Sequence, residues 1–100
     1  MTALKEAEKF GPQDPRLATG LNNLGLLYKA QGKYGEAEPL YKRSLAITEK
    51  ALGPDHPNVA TNLENYALLL RKTQRNAEAV EMEAHAKAIR DKHASENPVK

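Results

Sequence analysis

From Leu17 onward the large apolar residues of the first helical pattern fall at Leu17, Leu21, Leu24 and Tyr28, in steps of four, three and four. That spacing places them on one stripe of an α-helix. Val59, Leu63, Tyr66 and Leu70 repeat the same steps later in the chain. The pattern predicts a helix from about Pro15 to Ala30, and Asp14 before Pro15 supplies its start: an acceptor at the N-cap, then a proline where no amide hydrogen is needed. In the second copy His56 holds the position of Asp14. A second helix is expected from about Tyr34 to Leu52, stopped by Gly53, which tolerates a left-handed cap, and Pro54, which cannot continue a helix. Pro39 removes one backbone bond inside that helix and predicts a slight bend. Phe10, Gly11 and Pro12 end an earlier segment in the same way, so residues 2 to 10 read as the tail helix of a preceding unit. Turns are expected near residues 11 to 14, 31 to 33, 53 to 56 and 73 to 75.

Sliding the chain against itself by 42 positions makes fourteen residues coincide, among them Gly11 with Gly53, Thr19 with Thr61, Asn23 with Asn65, Leu26 with Leu68 and Ala37 with Ala79. A fixed period of this size signals stacked helical repeats. Residues 1–10 are expected to be the tail of a truncated repeat, 11–52 a full repeat, 53–93 a second, capping repeat and 94–100 a polar, frayed tail.

The run "LNNLGLLYKAQGKYGEAEPLYKRSLAI", followed by "GPDHPNVATNL", resembles the 42-residue tetratricopeptide repeats of the kinesin-light-chain-like type. The resemblance covers about residues 10 to 93, and Leu24 with Gly25, Tyr28, Gly32, Tyr34, Ala37 and Tyr41 stand at signature positions. HEAT and armadillo units have similar periods, but this order of residues favours the tetratricopeptide reading. It implies an all-α, right-handed solenoid of antiparallel helix pairs. Gly25 and Ala67 are expected at close helix crossings against Ala37 and Ala79, and Tyr28 and Tyr41 as wedges between helices.

The second copy departs where a following repeat would pack. Tyr41 and Leu45 become Glu83 and Lys87, a pair in favourable order for a solvent-facing helix, while Ala79, Met82, Ala86, Ile89 and His93 keep an inward seam. This is the expected form of a terminal capping repeat, which would set the chain at the C-terminal end of an array. Solenoid units usually need about three repeats for independent stability. A homodimer through the N-terminal end is therefore favoured over a monomer, with contact around Leu4, Leu17, Leu21 and Leu24 and Glu83 and Lys87 protecting the other end.

Composition removes several function classes. There is no cysteine, and 15 basic against 13 acidic residues leave a net charge of +2, too balanced to argue for nucleic acid or an anionic membrane. Residues 1 to 10 carry charge where a signal peptide needs an apolar core, and no long apolar run follows, so a cytoplasmic location is favoured. His56, His85 and His93 lack metal-site spacing with a carboxylate cluster. The basic doublets at 42–43 and 71–72 read as solvated helix faces. No phosphate loop and no nucleophile with a base occur, so no cofactor, no metal and no enzymatic activity are expected.

Binding is what remains. The resemblance implies that the first helix of each pair lines a concave groove, at Thr19, Asn22, Asn23, Leu26, Lys29 and Ala30, then Thr61, Glu64, Asn65, Leu68, Arg71 and Lys72. By the same resemblance Asn23 and Asn65 hold the backbone of an extended peptide, an amide offering both donor and acceptor; the alternative is that they bond a neighbouring helix. Leu26 and Leu68 lie off the packing stripe and would seat an apolar side chain or stand in solvent. Lys29, Arg71 and Lys72 favour acidic residues or a terminal carboxylate. The function expected is a peptide-binding interaction module; a structural spacer, or a regulatory part of a larger protein, is the alternative.

Overall fold

The computed structural model describes residues 14–96, as four helices: α1 Pro15–Ala30, α2 Tyr34–Leu52, α3 Pro57–Lys72 and α4 Asn76–Glu96. No strand occurs among the described residues. The expected helix at residues 2–10 and the dimer contact at Leu4 lie outside them. α1 packs on α2 and α3 on α4, the two pairs stack through α2 and α3, and α1 meets α3 only lightly. This is an all-α helical repeat solenoid.

The helix limits follow from local chemistry. The Asp14 carboxylate accepts from the Arg16 amide at 2.8 Å, and one copy later the His56 Nδ1 accepts from the Asn58 amide at 3.0 Å. The imidazole thus performs the cap that the carboxylate performs in the first repeat. α1 and α3 end alike, with Lys33 N–H bonded to Tyr28 C=O and Arg75 N–H to Leu70 C=O, both at 2.8 Å. That closure needs a left-handed residue just past the helix. Gly32 supplies it at φ 78°, whereas Gln74 adopts φ 63° with a side chain attached. α2 runs unbroken through Pro39.

Three apolar clusters form the core. Leu17, Ala18 and Leu21 of α1 bury against Ile47, with Leu40 alongside. Tyr41 stacks on Tyr66, ring centroids 6.2 Å apart, among Ala37, Ala67, Leu69, Leu70 and Ala79. Val59, Ala60 and Leu63 close on Ala86 and Ile89, and Leu45 reaches across from α2. Tyr41 and Leu45 thus pack against the following repeat, as the sequence pattern requires. Each fully buried leucine contributes roughly 1.5–3 kcal/mol. Leu17, Leu21 and Leu24 are almost wholly inaccessible, which corrects the expected self-association surface: these leucines are spent inside the chain.

Gly25 is buried, but its nearest neighbour is Tyr41 and not Ala37. A Cβ there would stand 2.9 Å from the Tyr41 Cε1. In the second repeat Tyr41 is replaced by Glu83 and Gly25 by Ala67, so the methyl group appears where the ring is gone. Glu83 does not pair with Lys87 as expected. It takes the Arg71 guanidinium, at 2.5 and 2.7 Å, while Lys87 pairs with Asp91 at 2.7 Å. His93, assigned to the inward seam, is exposed.

Candidate functional site

The light meeting of α1 and α3 leaves a cavity of about 210 Å³ over the C-terminal end of α2. Thr19 and Asn22 of α1 face Asn58 and Thr61 of α3 across it, and Thr48 and Asn62 form its floor. Of the groove residues expected from sequence, the cavity therefore gathers Thr19, Asn22 and Thr61.

A buried polar network supports that floor. The Ser44 hydroxyl lies 2.8 Å from both the Ala18 carbonyl and the Asn62 Oδ1. The Asn62 Nδ2 donates to the Thr48 Oγ1 at 3.0 Å and the Asn58 carbonyl at 3.1 Å, and the Thr48 hydroxyl donates to the Ser44 carbonyl at 2.8 Å. The Asn62 amide thereby ties α3 to α2, and the single Ser44 proton is shared between the Asn62 Oδ1 and the Ala18 carbonyl of α1. Asn58 and Asn62 were absent from the sequence-based site. Their counterparts one period earlier are Arg16 and Gly20, so comparing the two copies hides them; their spacing of one helical turn beside Thr61 was the available signal.

The other expected residues are distributed unevenly. Asn65 donates to the Asn22 Oδ1 at 3.3 Å, bridging α3 to α1, which is the neighbouring-helix bond held open as the alternative. Asn23 is exposed, and its side chain has no hydrogen-bond partner among the described residues. Leu26 lies partly buried against the Tyr41–Tyr66 cluster, so it contributes to packing after all. Leu68, its counterpart, is 50% exposed.

Charge is arranged to leave only part of the groove's basic rim available. The Arg90 guanidinium holds Glu64 through two 2.8 Å bonds, touches Thr61 Oγ1 at 3.2 Å, and keeps the Glu64 carboxyl below its usual range. Arg71 does the same to Glu83. Lys29 and Lys72 form no ion pair among the described residues. At the far end of the helices Arg75 joins Glu38 to Glu78, and Tyr66 donates to Glu38 at 2.6 Å. Those donors hold the Glu38 carboxyl low, the Arg75 bond counting most.

No group of three or more histidine, cysteine or acidic residues that could hold a metal ion occurs among the described residues. No helix described is long and apolar enough to cross a membrane. A tetratricopeptide-repeat family model matches residues 2–50 and again residues 16–92. No curated protein matches the chain.

Proposed function

Because the chain belongs to the tetratricopeptide-repeat family, whose repeats mediate protein–protein interaction, we propose that it captures an extended peptide segment of a partner along α1 and α3. We assign it, by its 42-residue period, to the kinesin-light-chain-like type. The observation that carries the peptide reading is the open cavity between α1 and α3, whose rim residues Thr19, Asn22, Asn58 and Thr61 are none of them buried. Asn23, Leu68, Lys29 and Lys72 extend the same surface with an amide, an apolar contact and positive charge. The two lysines favour a ligand carrying acidic residues, while Glu64, Asn65 and Arg71, engaged within the chain, shape the wall.

The test replaces Asn23 and Lys29 with alanine and Leu68 with glutamate, singly, and measures capture of peptides selected from a displayed random library. Loss of capture with unchanged far-ultraviolet circular dichroism supports the groove. Capture that survives all three substitutions overturns it and leaves the repeats as a spacer.

A further inference from the structure

The cavity between α1 and α3 is too small for the molecules that ordinary ligand sites hold, which need about 300–1,000 Å³. At about 210 Å³ it holds several waters or one side chain. None of the residues around it carries a charge; Pro15, Ala18 and Leu52 supply apolar wall, and amides and hydroxyls supply the rest.

The hydrogen-bond state of each polar group decides what would fit. Asn62 and Thr48 are fully engaged in the floor. Asn22 spends its Oδ1 on Asn65, and its Nδ2 finds no acceptor among the described residues. The Asn58 side-chain amide is likewise without a partner among them. Thr19 donates to the Pro15 carbonyl at 3.3 Å and keeps lone pairs to accept with. The cavity therefore presents both donors and acceptors and no net charge.

We infer that this cavity is a subsite for a carboxamide side chain, glutamine or asparagine, of the bound peptide. A carboxamide satisfies donor and acceptor at once. The charges nearest the lining, Arg90 against Thr61 and its partner Glu64, are spent on each other, so a carboxylate or an ammonium entering here would shed water without gaining a counter-ion, and an aliphatic side chain would leave the Asn22 amide unpaired. The inference rests on the peptide-binding reading and adds a spacing to it. Lys29 stands ten residues beyond Thr19 on α1, about 15 Å along the helix and about 80° around it. An extended peptide covers that distance in about four or five residues. The ligand thus carries a glutamine or asparagine four or five positions from an acidic residue, with an apolar residue between to meet Leu68.

The experiment selects a displayed random heptapeptide library on the intact chain, then measures fluorescence anisotropy of the best peptide and of versions changed at the amide position. The expected consensus has that spacing, and replacing the amide by leucine or glutamate weakens binding about tenfold, the worth of one or two neutral hydrogen bonds. Thr19→Leu, which fills the cavity from an exposed position, removes the preference. Asn58→Asp, also exposed, shifts it from glutamine toward lysine. Selected peptides with no preference at that position, or a preference that neither variant alters, overturn the carboxamide subsite and leave the groove standing. A library that yields no binder overturns both.

Discussion

Gly25→Ala tests the approach of α1 to the Tyr41 ring. Ordinarily a glycine within a helix costs about 1 kcal/mol relative to alanine, so the substitution alone would stabilise α1. Here the new methyl would lie 2.9 Å from Cε1 and 3.2 Å from Cδ1 and Cζ of Tyr41, against a comfortable carbon–carbon separation of about 3.5–4.0 Å. The ring is 1% exposed and stacked on Tyr66, so it cannot swing into solvent. Overpacking of this kind costs about 1–3 kcal/mol, which exceeds the helix gain; the expected net loss is on the order of 1 kcal/mol, or about 4–8 °C in Tm. With Tyr41→Leu as the background the ring is absent, and the same Gly25→Ala should stabilise by up to about 1 kcal/mol. Thermal and urea unfolding of the four proteins, followed by circular dichroism, gives the coupling energy. A Gly25→Ala effect equal in both backgrounds refutes the crossing and the explanation of why the second repeat pairs Ala67 with Glu83.

Tyr41→Phe should stabilise the fold by about 1 kcal/mol, because the Tyr41 hydroxyl is buried with no partner among the described residues and burial pushes it up to about 12; a lower Tm in the same unfolding assay would show that the hydroxyl is bonded. Gln74→Gly should raise stability by up to about 1 kcal/mol, since the left-handed backbone at φ 63° costs a side-chain-bearing residue about 1–2 kcal/mol, partly offset by glycine entropy; an unchanged urea midpoint counts against that backbone. Acid should destabilise the chain in a defined window: Glu38, Glu64 and Glu83 all titrate lower folded than free, so their contribution is full above the usual carboxylate range and is lost as pH falls from about 5 toward 3. Tm measured across that range should fall less steeply in Glu38→Gln, and equal slopes would remove Glu38 from the account.

The periodicity of Leu17, Leu21 and Leu24 and the caps at Asp14 and Gly32 made the helix limits legible, because both signals act within one or two turns of chain. His56 showed its position but not its chemistry, since an imidazole nitrogen serves as a cap only when the ring turns toward the Asn58 amide. The groove was half legible. Thr19, Asn22 and Thr61 line the cavity, but Asn58 and Asn62 depend on how α3 approaches α2, which no local pattern encodes. Arg71 and Glu83 paired for the same reason: twelve residues separate them, and only the packing of α4 on α3 brings them together.

The Ser44–Asn62–Thr48 network also gives the two repeats an order. A concatemer of residues 11–52 would set Gly20 where Asn62 now stands, and the hydroxyls of Ser44 and Thr48 would meet no amide. Duplicating residues 53–93 would set Ala86 and Arg90 where the hydroxyls belong. The joint therefore forms in one sequence of units only, so the array is written like a sentence whose words cannot be exchanged, and recombination within such a gene would be filtered at this interface.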